Sequence, residues 1–176
     1  MTQDAAPLEL ETDRLLLHSL QAGDEARLQR VFEACADHFA VLMSQRVAPD
    51  AAAGELAACA STPGRGVAVL TLAETGEDVG AIGWWLGNPE PDRALLGMLM
   101  VDPAHRRQGL AREALDALEV WLRGRGIRAM RTAFQRRRLT VHPLVKGLGF
   151  REMSIAEHAL LGLGGVGVSL WEKPVG

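Results

Sequence analysis

The chain has 176 residues, 48% of them hydrophobic and 23% charged, with a formal net charge of −3. That length gives one domain with a sizeable core, and the balanced composition excludes a disordered, collagenous or low-complexity chain. No run approaches the roughly eighteen apolar residues of a membrane span, residues 1–13 lack the apolar stretch of a signal peptide, and the only cysteines, Cys35 and Cys59, have no metal-ligand spacing, which fits free thiols in a reducing cytoplasm.

Residues 14–20 read as a first strand. Asp24 can cap a helix whose apolar residues Ala26, Leu28, Val31, Phe32 and Cys35 fall near helical spacing. A second short helix starts around Pro49 and Asp50 and runs through the alanines to Cys59. Residues 66–72 and 78–86 read as strands joined by the turn Glu74-Thr75-Gly76-Glu77, residues 88–92 as a loop and residues 94–101 as the next strand. From 110 to 123 the apolar residues Leu110, Ala114, Leu115, Leu118, Trp121 and Leu122 line one helical face, and Gly124 and Gly126 stop it. Residues 127–134 follow as a strand, 140–148 as a helix, and 150–154 and 166–172 as closing strands. Residues 156–165 read as a loop, with Gly162, Gly164, Gly165 and Gly167 turning into the last strand.

The most informative stretch is residues 101–115, where an apolar strand ends in Asp102-Pro103 and His105-Arg106-Arg107-Gln108-Gly109 opens directly into a helix. Backbone N–H groups at a helix start have no partners within the helix, and the helix dipole adds partial positive charge there. Gly109 lets the backbone approach a bulky anion, and Arg106, Arg107 and Arg112 add full charges. This is a phosphate cradle suited to a pyrophosphate. It is neither a Walker loop, since no Gly-Lys-Ser/Thr is present, nor the three-glycine dinucleotide fingerprint.

Arg106-x-x-Gly109-x-Ala111 resembles the Gln/Arg-x-x-Gly-x-Gly/Ala signature of the GNAT superfamily of acyl-CoA N-acyltransferases. Six residues with three fixed positions are weak alone; the preceding strand, the following helix and a second motif give them weight. That motif, Leu144-Val145-Lys146-Gly147-Leu148-Gly149-Phe150, resembles the family's later helix ending in Leu-Gly-Phe, with Gly149 as its positive-φ terminator. The resemblance implies one α/β domain over residues 1–176, with 1–7 a disordered tail. Its mixed, mostly antiparallel sheet would be flanked by helices in the order β-α-α-β-β-β-α-β-α-β-β. Acyl-CoA would lie in the splay between the central strands. The pantetheine arm would pair with the backbone of Leu99, Met100 and Val101. The pyrophosphate would sit on Arg106, Arg107, Gln108, Gly109, Leu110, Ala111 and Arg112. Acetyl-CoA is the implied cosubstrate, a primary amine the acceptor, and no metal is expected.

The chain departs from the family at the leaving group. The tyrosine that often protonates the CoA thiolate, five residues before the Phe, is Val145 here, and the chain has no tyrosine; the usual asparagine position is Arg138. His142, one helical turn before Val145, can stand in as the acid, with Thr140 and Ser154 as weaker substitutes. The strand before the cradle carries no carboxylate, so Glu90 and Asp92 just before it, and Asp37 and His38 after the first helix, are the candidate bases. For each, the plain alternative is a loop carboxylate or a structural histidine. So sparse a base set suits an α-amine of pKa ~8 better than a lysine near ~10.4, because far more of the former is neutral at pH 7.

Charge divides along the chain: residues 1–92 hold 5 Lys/Arg against 15 Asp/Glu, and residues 93–176 hold 14 against 7. A basic half suits the phosphates of coenzyme A, and an acidic half a cationic amine. Arg136-Arg137-Arg138 with Arg123, Arg125, Arg128 and Arg131 suggests a nucleic-acid patch, but no stacking aromatics accompany it, and the arginines fit the 3′-phosphate or solubility better. Of Trp84 and Trp85, one belongs in the core and the other on the acceptor cleft or a homodimer surface. The main rival is a catalytically degenerate GNAT-fold protein that binds acyl-CoA for regulation. The opening Arg14-Leu15-Leu16-Leu17 is similar to that of family members acting on ribosomal-protein N-termini; small amines remain open as acceptors.

Overall fold

The computed structural model describes residues 7–160 and 167–176. Strands β1 (Glu9–Glu11), β2 (Leu15–Ser19), β3 (Arg65–Leu72), β4 (Asp78–Leu86), β5 (Arg93–Val101), β6 (Ala129–Gln135), β7 (Arg151–Glu152) and β8 (Val168–Pro174) form one sheet. Their order is β1-β2-β3-β4-β5-β6-β8-β7. Only β5 and β6 run parallel; the other neighbours are antiparallel. Helices α1 (Glu25–Ala34), α2 (Ala36–Met43), α3 (Ala51–Ser61), α4 (Leu110–Arg123), α5 (His142–Gly147) and α6 (Ile155–Leu160) lie around it.

The period-two alternation of the strands builds a core on each face of the sheet. Leu15, Leu17, Leu70 and Ile82 pack with Leu115, Leu118 and Leu122 of α4 and with Met130 and Trp171. On the other face, Val67, Val69, Ala81 and Met100 pack with Leu28, Val31 and Phe32 of α1 and Leu56 of α3. Each leucine-sized side chain removed from water in these layers contributes roughly 1.5–3 kcal/mol. All six apolar residues expected on one face of α4 are buried. Trp84 is the core tryptophan, edge-on to Trp121 at 5.4 Å. Trp85 is half-buried, its indole N–H donating to the Pro63 carbonyl at 3.2 Å.

The structure differs from the sequence reading in four places. A short strand, β1, precedes the expected first strand and pairs Leu10 with Leu17. The expected loop from residue 156 contains α6, while residues 161–166, including Gly162, Gly164 and Gly165, lie outside the described residues, as do residues 1–6 of the expected tail. The later helix begins as a 3₁₀ turn, Leu139–Val141, and becomes α-helical only at His142. Finally, α1 ends where its apolar spacing ends, and an unforeseen helix, α2, follows without a single buried residue. Its contacts with the core, through the partly buried Phe39 and Leu42, are too sparse to leave a periodic trace in the sequence.

Candidate active site

The central strands part company along their length. The β5–β6 ladder covers only Arg93↔Ala129, Ala94↔Met130 and Leu95↔Arg131. Just past it, the Thr132 hydroxyl donates to the Leu96 carbonyl at 3.1 Å. Beyond that point β5 has no β6 partner among the described residues. On its other edge the β4 register jumps from Trp84↔Leu96 to Gly83↔Met98, so Gly97 is a bulge residue. The Asp102 N–H donates to Val79 of β4 at 2.7 Å. Because hydrogen-bonding edges alternate along a strand, Met100 also faces β4, while Leu99 and Val101 turn theirs toward the gap. Of the three residues expected to pair with a pantetheine arm, two thus present backbone groups to the gap and Met100 does not. Gly97 and Ala133 are exposed beside it.

At the open end of the gap, Asp102 caps a 3₁₀ turn, Pro103–His105, by accepting from the Ala104 N–H at 2.8 Å. Arg107 then takes φ 60° and Gly109 φ 83° before α4 begins. Left-handed residues set among right-handed ones turn successive N–H groups toward a common concavity, an anion nest. From Arg107 to Arg112 the N–H groups have no acceptor among the described residues, and the first bond of α4 runs from Glu113 N–H to Gly109 at 3.0 Å. Leu110, buried in the core, holds the helix start against the sheet.

The arginines are disposed differently from the sequence reading. Arg106 points away from the nest: its Nε donates to the Val101 carbonyl at 2.7 Å, and its fork grips Asp37 of α2 at 2.5 and 2.8 Å. Arg112 donates to the Gly147 carbonyl at the end of α5. Arg107 alone of the three has no side-chain hydrogen bond or ion pair among the described residues. A fourth arginine, Arg14, reaches the loop from the start of β2 and donates to the Gln108 carbonyl at 2.8 Å. It also pairs with Glu113 of α4. No local signal marks that pairing, because the partners are 99 residues apart.

The candidate catalytic residues separate as well. Glu90 and Asp92 lie at the paired end of β5, away from the loop. Glu90 accepts from Arg131 at 2.7 Å and Asp92 from Arg93 at 2.7 Å. Each carboxylate is thus ion-paired rather than free, one oxygen held by a guanidinium. Asp37 is likewise taken by Arg106, which holds its carboxyl below the usual range against a smaller opposing effect of burial. His38, half-buried on α2, has no side-chain hydrogen bond among the described residues. Burial lowers its pKa, Asp37 opposes that shift and Arg106 adds to it. His142 opens α5 between Phe134 (5.4 Å) and Trp171 (5.3 Å). Trp171 pairs with Thr132, whose hydroxyl marks the vertex of the splay. The imidazole therefore stands over β6 and β8 at the level of the vertex. Its Nε2 is buried without a partner among the described residues. Val145, at the family's tyrosine position, is 7% exposed and part of the core.

The suspected nucleic-acid arginines do not form one surface. Arg131 is buried between Glu90 and Glu172. Arg125 stacks on Trp121 at 3.6 Å, and Arg138 donates to Ser44 at the end of α2. Arg136 and Arg137 line a shallow hollow of about 600 Å³ with Gln135, Gly167 and Val168.

The acetyltransferase (GNAT) family model matches residues 25–150. The chain belongs to that family. GNAT proteins use acyl-CoA and an acceptor, and the strand gap and nest described above fall within the matched region. No curated protein matches the chain in sequence. Solved structures resemble it across nearly its whole length. An acetyltransferase from Thermus thermophilus is 24% identical with a TM-score of 0.77, covering 95% of this chain and 99% of the other. One from Agrobacterium tumefaciens is 20% identical with a TM-score of 0.68, covering 95% and 94%. A ribosomal-protein-S5-alanine acetyltransferase from Vibrio fischeri is 14% identical with a TM-score of 0.71, covering 95% and 96%. At these identities the likeness is one of fold. No described helix is long and apolar enough to cross a membrane.

Proposed function

We propose that this GNAT protein is a cytoplasmic N-acetyltransferase that moves the acetyl group of acetyl-CoA directly to a primary amine. The observation that carries the reading is the run of N–H groups from Arg107 to Arg112 without acceptors among the described residues, at the mouth of the gap between β5 and β6. The pyrophosphate would take those donors, with Arg107 adding charge. The pantetheine would run along the edge offered by Leu99 and the Val101 N–H, the Val101 carbonyl being held by Arg106, and the thioester would lie near Gly97 and the Thr132–Leu96 link. The neutral amine attacks the thioester carbonyl carbon, the C–S bond breaks, the amine nitrogen loses a proton and the thiolate gains one. His142 is the candidate acid for the thiolate, and His38, whose burial favours the neutral imidazole, the candidate base. A free thiol of pKa near ~8.5 leaves tolerably without help, so the acid sets the rate and not its existence. An α-amine, in a peptide N-terminus or a small molecule, is the acceptor class that this weak base suits. The Vibrio fischeri neighbour acts, by its description, on the alanine of a ribosomal protein.

The test is calorimetric titration with acetyl-CoA and with dephospho-CoA, followed by thiol release over an amine panel. Acetyl-CoA binding that disappears in Gly109→Glu, with turnover on a peptide N-terminus, supports the reading. A preference for a lysine side chain would overturn the acceptor class, and no binding at millimolar acetyl-CoA would remove the function. A second reading, an acyl-CoA sensor without catalysis, is favoured by one observation: Val145 is core, and Glu90, Asp92 and Asp37 are all held by arginines. Tight acetyl-CoA binding with no thiol release on any amine would select it.

A further inference from the structure

The β1–β2 turn is built around one carboxylate of another element. Glu113, in the first turn of α4, accepts on Oε1 from the Thr12 hydroxyl at 2.6 Å and the Arg14 backbone N–H at 2.9 Å. On Oε2 it accepts from Arg14 Nε at 2.7 Å and Nη2 at 2.6 Å. The remaining guanidinium nitrogen of Arg14 holds the Gln108 carbonyl at 2.8 Å. An ion pair whose arginine is 48% exposed contributes little to stability. The arrangement does two other things. In a trans peptide the carbonyl and the following N–H point in opposite directions. Anchoring the Gln108 carbonyl outward therefore fixes the Gly109 N–H inward, toward the nest. Second, a bare carboxylate in the first turn of α4 would repel the very anion that the helix start attracts. The guanidinium cancels it.

Resting on the acyl-CoA reading above, we infer that Arg14 is a positioning residue for the pyrophosphate: it orients the Gln108–Gly109 peptide and neutralises Glu113 beside the nest. Arg14→Lys cannot replace it, since an ammonium lacks the fork that spans Glu113 and Gln108 together.

The decisive experiment is a double-mutant cycle of Arg14→Gln and Glu113→Gln, read as the acetyl-CoA dissociation constant, with thermal melts on each variant. Arg14→Gln should weaken binding about tenfold, the size of one lost charge-assisted hydrogen bond. Glu113→Gln keeps an acceptor for Thr12 and removes the negative charge, so binding should hold or tighten. The double variant should then bind severalfold more tightly than Arg14→Gln alone. A purely structural role gives the opposite order, the double variant being the least stable and the weakest binder, and that result overturns the inference. So does Arg14→Gln binding like the wild type. Failure of the wild-type protein to bind acetyl-CoA would instead remove the acyl-CoA reading itself, and Arg14's role with it.

Discussion

His38 and His142 are two imidazoles with opposite surroundings. Burial lowers the pKa of His38 from its ordinary 6.5, so the folded state prefers it neutral. A depressed folded-state pKa gives stability that is present above the ordinary imidazole value and lost as pH falls through the folded-state value. Melting temperature should therefore drop as pH is taken from about 7 toward 5, and His38→Gln should flatten that part of the curve. An unchanged slope would show that the drop belongs to other groups. His142 is wedged between two aromatic rings with its Nε2 buried and unpartnered among the described residues. If it delivers a proton to the thiolate, His142→Gln should lower kcat about a hundredfold while the KM for acetyl-CoA stays put. A kcat within a factor of about two of wild type would assign the imidazole to packing alone.

Helices α2 and α4 show what an element needs in order to be read from sequence. In α4, six buried residues recur on one face, so its limits of 110 and 123 are legible in the spacing of its apolar residues. In α2 no residue is fully buried: Phe39 packs edge-on to Phe32 at 5.0 Å, Leu42 rests on the other core layer, and the ends are tied by Asp37–Arg106 and by Arg138–Ser44. Its position follows from those ties: one arginine belongs to the loop after β5, the other to the segment after β6, so α2 joins the two arms of the splay. Elements with few buried contacts open most readily. Native-state hydrogen exchange should accordingly show α2 amides exchanging orders of magnitude faster than those of α4. Equal protection in the two helices would mean that α2 has a buried partner not accounted for by these contacts.

Across the molecule as a unit, the two halves of the chain carry opposite charge, and the basic half contains the nest. Part of that basic charge is already paired, as with Arg106 and Arg131. What reaches an approaching ligand is the summed field, which salt screens over about 10 Å at 0.1 M. Acetyl-CoA affinity should fall severalfold as ionic strength is raised tenfold from about 0.05 M, chiefly through a slower association rate. An affinity indifferent to salt would mean that the backbone N–H groups alone hold the phosphates.

The strands with their alternation, the face of α4, the glycine at φ 83° and the cradle at a helix start are all written in the order of the residues, because each is a property of chain neighbours. So is the lack of any tyrosine to protonate the leaving group. Where the guanidinium groups go is a property of the folded chain alone. Arg106 turns to Asp37 and Arg131 to Glu90, and Arg14 comes to a loop 94 residues away. The point at which β5 and β6 separate is likewise set in three dimensions, by a bulge at Gly97 and one threonine hydroxyl on Leu96. A long cation reaches any carboxylate or carbonyl that folding brings within a few ångströms, and that proximity is fixed only when the sheet closes.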